Sequence, residues 1–178
     1  MTTKTVTPAD ILSAMRSVPD FPQKGIIFKD ITPVLADPFL FKGMIKLFAD
    51  QYRGKGIKKI IGIESRGFLL ASALACELNA GLVLVRKKGK LPAEKISETY
   101  ALEYGTDTLE MHSDSVGKGE KVIIIDDVLA TGGTVSAVVR MVNKMQGDLY
   151  GVAVLMELEF LKGRAKLDGV NLFSMIKS

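Results

Sequence analysis

The sequence is poor in the residues that build disulfides and metal clusters. Its 178 residues include one cysteine, Cys76, and one histidine, His112. A single cysteine cannot form an internal disulfide, which fits a reducing cytoplasm. Cys76 lies in an apolar, helical stretch, and we expect a small buried packing residue rather than a nucleophile. His112 has no partner cluster nearby in the sequence, so we expect a solvated side chain rather than a base or a metal ligand.

Long hydrophobic runs are also missing. No apolar stretch approaches the length that spans a membrane, and the N-terminus lacks the apolar core of a signal peptide. These absences predict a cytoplasmic protein with no membrane partner. The net charge is only +4, and the densest basic cluster, residues 86–90, is short and contains no aromatic residue. We therefore expect a phosphate-rich small molecule, rather than nucleic acid, as the partner.

What the sequence does contain is an alternation of helical and strand patterns. A residue that can cap a helix precedes a proline at Thr7 and again at Asp37, which predicts two N-terminal helices, the first ending at Pro19. Further helices are predicted to end at Leu78 and to cover residues 135–145. Short apolar runs predict buried strands at 59–63, 82–85, 122–126, 149–156 and 170–176. The pattern predicts a single α/β domain over residues 1–178 with a mostly parallel sheet.

The chain is organised around residues 122–134, VIIIDDVLATGGT. The apolar first half predicts a buried strand that runs into two adjacent carboxylates, Asp126 and Asp127. Two glycines and two threonines follow at 131–134, where backbone N–H groups and hydroxyls can surround an anion at the start of a helix. The spacing is neither that of a P-loop nor that of a dinucleotide-binding loop. An acid pair beside an anion cradle predicts a ribose phosphate, although the two carboxylates by themselves also allow a metal site, a general base or a solvated strand end.

Two further segments interrupt the regular pattern. Residues 20–34 contain two prolines and a glycine among strongly apolar residues, and we expect no regular element there. They form either a loop that plugs the core or a cap over a flat aromatic ligand. Residues 93–113 show weak alternation around a Gly-Thr-Asp turn, which predicts the two arms of a long hairpin or flexible loop. Insertions of this length are often lids over active sites.

The 122–134 string closely resembles the 5-phosphoribosyl-1-pyrophosphate (PRPP) binding motif of type I phosphoribosyltransferases. Other stretches are similar to the adenine phosphoribosyltransferase family within that class. They are DFPQKGIIFKDITPVL (20–35), GIESRGFLLASALA (62–75), RKKGKLP (86–92), YALEYGTDTLEMH (100–112) and LEFLKGRAKL (158–167). The resemblance implies the type I phosphoribosyltransferase fold, in which a mostly parallel twisted sheet is flanked by helices. It also implies an N-terminal helix and base-binding cap, or hood, over residues 1–35, and a long flexible lid loop over 93–113.

The resemblance implies a purine-salvage reaction, adenine + PRPP → AMP + pyrophosphate. The enzyme would be a cytoplasmic homodimer that uses Mg²⁺ carried by PRPP, with no metal ligand supplied directly by the protein. Asp126 and Asp127 would hold the ribose hydroxyls. The 5′-phosphate would be cradled by Ala130, Thr131, Gly132, Gly133 and Thr134. Pyrophosphate would be bound, partly across the dimer interface, by Ser65, Arg66, Arg86, Lys87 and Lys90.

The resemblance also assigns the base and the lid. Ile27 would read the adenine edge through its backbone, and Phe28 and Val128 would sandwich the ring. Arg66, which follows a non-proline cis peptide in the family, would also reach adenine. Glu103 would be the general acid/base of the lid. Its neighbours on the lid would be Tyr100 and Tyr104.

The chain departs from the family pattern at two positions, and three other functions compete. Glu64 stands where some members have Asp, and Lys29 stands where others have Arg, which removes the bidentate geometry of a guanidinium. One rival is a phosphoribosyltransferase for hypoxanthine, xanthine or orotate, disfavoured by the 20–34 cap and the Glu103 lid. A PRPP-binding regulator of nucleic acid would need a DNA-binding module, and residues 1–20 are too short for one. A purely structural domain would leave the acid pair and the phosphate loop without a purpose.

Overall fold

The computed structural model describes residues 5–101 and 105–178. They form two compact units, one of residues up to Gln51 and the other of Tyr52–Ser178. Each unit is described by itself, and the single domain expected over 1–178 stays a prediction. In the described part of the chain, no helix has both the length and the apolar character needed to cross a membrane.

The described residues of the first unit contain three helices and a two-stranded ribbon. The helices are α1 (Pro8–Ala14), α2 (Thr32–Ala36) and α3 (Pro38–Tyr52), and the strands are β1 (Arg16–Pro19) and β2 (Ile27–Asp30). As predicted, Thr7 caps α1, in a capping box with Asp10. The Asp37 carboxylate accepts the N–H groups of Phe39 and Leu40 at the start of α3. Helix α1 ends at Ala14, before the predicted Pro19, because the chain turns into β1.

The expectation that residues 20–34 hold no regular element is wrong. Strand β2 pairs antiparallel with β1, and α2 follows it directly. The strand depends on its partner: Lys29 donates to the Ser17 hydroxyl at 2.8 Å, and Arg16 lies 3.7 Å from Asp30. A four-residue strand is too short to show an alternating pattern, so only the pairing reveals it.

The second unit is built on one mixed sheet of seven strands among the described residues. They are β3 (Lys59–Ile63), β4 (Gly81–Lys87), β5 (Lys95–Ala101), β6 (Thr106–His112), β7 (Lys121–Leu129), β8 (Asp148–Glu157) and β9 (Leu172–Lys177). The order is β5-β6-β4-β3-β7-β8-β9. Strands β4, β3, β7, β8 and β9 run parallel, whereas β6 is antiparallel to both β4 and β5. The predicted strands are confirmed, and residues 93–113 contain the predicted hairpin.

Helices and two 3₁₀ turns complete the second unit. They are α4 (Arg66–Leu78), α5 (Gly133–Lys144) and the turns Glu159–Leu161 and Gly163–Leu167. On α5, Val135, Val138, Met141 and Val142 join the buried core formed with the sheet. Cys76 is exposed on α4, so the expectation of burial is wrong. The buried stripe of α4 runs through Leu70, Ala71, Leu74 and Ala75, and position 76 turns away from it.

Candidate active site

The carboxyl ends of three neighbouring parallel strands, β4, β3 and β7, surround a cavity of about 670 Å³. Ligands of open α/β sheets bind at this edge. Ten of the predicted site residues line the cavity, together with Glu64 and Leu109. The ten are Ser65, Arg66, Lys87, Lys90, Tyr100, Asp126, Asp127, Val128, Ala130 and Thr134.

The two adjacent carboxylates of β7 occupy different electrostatic environments. Asp127 is buried and lies 2.5 Å from Nε of Arg66, so a guanidinium balances its charge. The backbone N–H of Asp127 donates to Oδ1 of Asp126 at 2.9 Å. Burial, followed by the charge of the Asp127 carboxylate, raises the pKa of Asp126 well above its usual range. The pair can therefore present one carboxylate together with a second group that is easily protonated.

A glycine brings helix α4 close to the acid pair. A Cβ on Gly67 would lie 2.9 Å from Oδ1 of Asp126 and 3.1 Å from the carbonyl oxygen of Ile125. Only a residue without a side chain fits there unless one of the two segments moves. The preceding junction contains the expected cis peptide bond, between Glu64 and Ser65. Ser65 and Arg66 thus start α4 at the wall of the cavity.

Glu64 contacts several residues of the basic run at the carboxyl end of β4. The Glu64 carboxylate accepts hydrogen bonds from the Lys90 ammonium, from Nε of Arg86 at 3.4 Å and from the backbone N–H of Lys87 at 3.0 Å. Burial acts to raise the pKa of Glu64, but these hydrogen bonds outweigh it and lower the pKa. Nζ of Lys87 lies 3.3 Å from Asp107 on β6. Lys87 and Lys90 line the cavity, whereas Arg86 is turned toward Glu64 and the carbonyl oxygen of Lys90.

The predicted phosphate loop leads from β7 into α5. Gly132, at the N-cap of α5, has a φ of +78°, a conformation that favours glycine. Ala130 and Thr134 line the cavity at the two ends of the loop, and Thr131, Gly132 and Gly133 form the turn between them. The first backbone N–H groups of a helix have no acceptor inside the helix, and its dipole favours an anion. The backbone geometry of the loop is therefore suited to binding an anion beside the acid pair.

The hairpin reaches the same loop. A Cβ on Gly133 would lie 3.1 Å from the ring of Tyr100 and 3.2 Å from the carbonyl oxygen of Ala101. Tyr100 is buried against the cavity, and this burial raises the pKa of its phenol. Its hydroxyl donates to Asp107 at 3.5 Å. Glu103 and Tyr104 lie outside the described residues.

Two predicted base-binding residues belong to the first unit. Ile27 and Phe28 lie on β2 of the first unit, where Ile27 is exposed and Phe28 packs edge to face on Phe21. Their predicted role in adenine binding stays a prediction. Among the described residues, the structure has no group of three or more His, Cys, Asp or Glu side chains that could hold a metal ion.

Sequence reasoning missed the roles of Glu64 and Leu109. In the sequence Glu64 stands out only as a departure from the family pattern, although an acidic residue at the end of β3, next to a strand that ends in a basic run, indicates an ion-pair partner. Leu109 enters the cavity wall because β6 pairs with β4, which sets Leu109 opposite Lys87. Nothing in the local sequence indicates that pairing.

Residues 23–171 match the family model of the phosphoribosyl transferase domain, and the chain therefore belongs to the phosphoribosyltransferase family. It is 56% identical to an adenine phosphoribosyltransferase of Geotalea daltonii, over 94% of this chain and 98% of the relative. The crystal structure of adenine phosphoribosyltransferase from Thermoanaerobacter pseudethanolicus matches with a TM-score of 0.93 at 49% identity, and covers 97% of this chain and 100% of that one.

A third relative comes from Saccharomyces cerevisiae. This adenine phosphoribosyltransferase was crystallised with adenine and an imino-altritol bisphosphate. It matches with a TM-score of 0.91 at 39% identity, over 94% of this chain and 97% of that one. These relatives confirm the predicted resemblance to the adenine phosphoribosyltransferases, which are pentosyl-transferring enzymes, and the predicted type I fold.

Proposed function

We propose that this chain transfers the 5-phosphoribosyl group of PRPP to adenine and releases AMP and pyrophosphate, a purine-salvage reaction. The observation that carries the proposal is the meeting of three kinds of group in one cavity. An acid pair, an anion-binding helix start and a set of cations line it together. PRPP carries the matching parts: ribose hydroxyls, a 5′-phosphate and a pyrophosphate. The resemblance to the adenine phosphoribosyltransferases supplies adenine as the base.

The sugar and its phosphate take the β7–α5 side of the cavity. Carboxylates are good acceptors for two neighbouring hydroxyls, so Asp126 and Asp127 bind the ribose. Arg66 holds the Asp127 side chain in place through their ion pair. The backbone and hydroxyl donors of residues 130–134 bind the 5′-phosphate. The sugar is thereby held between β7 and the start of α5.

The leaving group takes the opposite side. Ser65, Arg66, Lys87 and Lys90 surround this part of the cavity, and Arg86 lies beside it, paired with Glu64. As the bond from C1′ to pyrophosphate breaks, positive charge develops on the sugar ring and negative charge on the leaving group. The acid pair stabilises the first charge and the cations the second, so catalysis is largely electrostatic. Two of the cavity carboxylates, Glu64 and Asp127, are engaged by cations, which fits Mg²⁺ bound through PRPP oxygens, where it would add positive charge to the leaving group.

The base and the lid follow the family pattern. Adenine is assigned to Ile27, Phe28, Val128 and Arg66, and Glu103 takes the proton that adenine loses when its ring nitrogen attacks C1′. The hairpin supports the role of residues 93–113 as a lid, because its strand β5 contacts the phosphate loop through Tyr100 and Ala101. A lid at this place excludes water, which would otherwise hydrolyse the activated sugar. Tyr100 and Tyr104 would flank Glu103.

An exposed apolar surface supports a homodimer. Leu82 and Leu84 alternate with the buried Val83 and Val85 on β4, and both are exposed, as is Leu69 on the neighbouring helix α4. Exposed apolar clusters of this kind mark interaction surfaces. Because Arg86 directly follows this part of β4, a second copy bound here would approach the pyrophosphate side. We also propose a cytoplasmic location, with which the single cysteine is compatible.

The test is the release of pyrophosphate from PRPP and Mg²⁺ in the presence of adenine, hypoxanthine, xanthine, guanine or orotate, one at a time. We expect rapid release with adenine and AMP as the second product. A preference for another base would overturn the adenine assignment. PRPP binding without turnover on any base would favour the rival PRPP-binding regulator.

A further inference from the structure

The segment 158–167, LEFLKGRAKL, has no part in the proposed reaction, yet it is attached directly to the site. The backbone N–H of Leu158 donates to the carbonyl oxygen of Leu129 at 2.9 Å, at the end of β7. The chain then makes its two 3₁₀ turns. Gly163, at the start of the second turn, is buried. The segment therefore returns to the place where the phosphate loop begins.

Gly163 touches the phosphate loop backbone to backbone. A Cβ on Gly163 would lie 2.1 Å from the carbonyl oxygen of Ala130 and 2.9 Å from the N of Gly132. In the other direction, a Cβ on Gly132 would lie 2.4 Å from the carbonyl oxygen of Gly163. Such distances are far below van der Waals contact, and a backbone cannot turn aside as a flexible side chain can. The position of Gly163 therefore limits where the loop can lie.

An ion pair at the next residue holds Gly163 in place. The Arg164 guanidinium donates to both oxygens of Glu157, at 2.9 and 2.6 Å, and Ser174 donates to the same carboxylate at 2.5 Å. Glu157 is only 3% exposed. It lies at the end of β8, opposite Leu129 of β7 in the sheet. A bidentate pair of this kind fixes orientation as well as distance.

We propose that Gly163 is a positioning residue for the 5′-phosphate, and that the Arg164–Glu157 pair keeps it against the phosphate loop. The inference rests on the proposed function and adds a specific device to it. Phosphate is bound by backbone donors whose directions are set by the loop, and a displacement of about 1 Å in such a site can cost about a hundredfold in rate. Gly163 acts only through the loop, so its effect is confined to the sugar-phosphate half of the ligand.

The test compares Gly163→Ala with Gly151→Ala. In the control, the new Cβ would lie 2.6 Å from the carbonyl oxygen of Asn171, which is also a backbone clash, near the amino end of β8. Calorimetry measures the affinity for ribose 5-phosphate and for pyrophosphate, and steady-state assays give KM for PRPP and for adenine. For Gly163→Ala we expect ribose 5-phosphate affinity and KM for PRPP to worsen about tenfold or more. Pyrophosphate affinity and KM for adenine should stay within about twofold of the wild type. Gly151→Ala should lower Tm and change none of the four values.

A second variant covers the case in which Gly163→Ala does not fold. Arg164→Lys keeps the charge but loses the bidentate geometry, so it should weaken ribose 5-phosphate binding by a smaller factor and again spare pyrophosphate. The proposal is overturned if the folded Gly163→Ala variant binds ribose 5-phosphate as tightly as the wild type. If Gly163→Ala does not fold, wild-type affinity in Arg164→Lys overturns the proposal in the same way. Equal losses for both ligands also overturn it. A wild-type protein that neither binds ribose 5-phosphate nor releases pyrophosphate would instead overturn the proposed function.

Discussion

At the scale of the residue, the site contains a carboxylate that the fold makes costly to ionise. Nε of Arg66 lies 2.5 Å from the Asp127 carboxylate, whereas burial and the charge of Asp127 raise the pKa of Asp126. A group whose pKa is higher in the folded chain than in the unfolded chain lowers stability where both states are ionised, and this cost disappears as pH falls through the folded value. Binding sites often hold strain of this kind at the expense of stability.

Asp126→Asn should therefore stabilise the protein at pH 7 and weaken PRPP binding. We expect Tm to rise by about 2–4 °C, the effect of about 1 kcal/mol in a chain of this size. The difference from the wild type should shrink as pH falls toward the ordinary aspartate value of 3.8. Scanning calorimetry between pH 7 and pH 4 measures both effects. The exposed Asp114 provides the control, since Asp114→Asn should leave Tm unchanged; a lower Tm for Asp126→Asn at pH 7 would contradict this account of its environment.

The Glu64 carboxylate should lower the affinity of the site for pyrophosphate. It occupies the Lys90 and Arg86 side chains, and its negative charge repels a polyanion. In Glu64→Gln the amide oxygen can still accept the Lys87 N–H, but the negative charge is gone. We expect the inhibition constant of pyrophosphate against PRPP to fall about two- to fivefold, in line with the modest energies of partly exposed ion pairs. Inhibition kinetics at two salt concentrations give the value. Glu94→Gln removes an equal charge at an exposed position and should have no effect, and weaker pyrophosphate binding by Glu64→Gln would reverse the assignment.

Most of the described site could be predicted from residues that are close together in the sequence. The acid pair and the phosphate loop are contiguous, so a strand followed by a helix start already fixes their relation. The contacts of Glu64 and Leu109 depend on which strands are neighbours, and the local sequence does not encode that. The role of Arg86 in pyrophosphate binding stays a prediction, and its pairing with Glu64 follows only from the register of β3 against β4.

At the scale of the element, the hairpin β5–β6 is tied to α5. Glu98 on β5 accepts from Nε of Arg140 at 2.8 Å and from the ammonium of Lys144. The hydrogen bonds from Lys144, and next those from Arg140, lower the pKa of Glu98. Because α5 also begins with the loop proposed to bind the 5′-phosphate, the same helix contacts both that loop and the hairpin. The sequence predicted the hairpin, but this link joins positions 42 residues apart and was not visible.

Loosening this link should affect turnover more than stability. In Glu98→Gln we expect faster amide exchange over residues 95–101 and 105–112, and a Tm loss of about 2 °C or less. We also expect a several-fold lower kcat, because the hairpin, which is proposed to carry the lid, is held less firmly against α5. Exchange mass spectrometry and steady-state kinetics measure these effects. Asp50→Asn breaks another ion pair to a carboxylate, the more exposed Lys46–Asp50 pair at 2.6 Å, and should leave hairpin exchange and kcat as they are. Unchanged exchange in Glu98→Gln would show that Tyr100 and the sheet alone hold the hairpin.

The first unit shows the limits of reading single elements. Helices α1 and α3 were predicted because their capping residues are local. The ribbon β1–β2 was missed because each strand has four residues, and the chain between them contains Pro22 and Gly25. The family resemblance predicted a functional segment at 20–35 without revealing this architecture, since similarity of sequence carries no strand pairing by itself.

At the scale of the whole molecule, ion pairs join elements that the sheet alone does not connect. Glu157 links β8 to the second 3₁₀ turn through Arg164, Glu98 links β5 to α5, and Glu64 links β3 to the basic run. Glu120 accepts the Gly117 N–H and pairs with Lys59 on β3 at 2.9 Å. All four carboxyls have a lowered pKa in the folded chain. These four glutamates, placed at different strands of the sheet, therefore contribute to the electrostatic stabilisation of Tyr52–Ser178.

This distribution predicts sensitivity to acid with a defined sign. Below the ordinary glutamate value of 4.5 the unfolded chain takes up protons that the folded chain resists, so stability present above that pH is lost as pH falls through the lowered folded values. Between pH 7 and about 5 we expect Tm to hold or to rise slightly, because the cost of ionising Asp126 fades as pH falls. Below about 4.5 the four glutamates dominate, and we expect Tm to fall steeply. In Glu157→Gln the fall should be shallower, because one contributing group no longer titrates, while Tm at pH 7 should be lower because Arg164 loses its charged partner.

Urea unfolding across the same pH range gives the slope of the unfolding free energy against pH directly, with Glu94→Gln as the control at an exposed glutamate. A slope in Glu157→Gln equal to that of the wild type would show that the Arg164–Glu157 pair does not contribute to stability, and that Gly163 is held by the backbone alone.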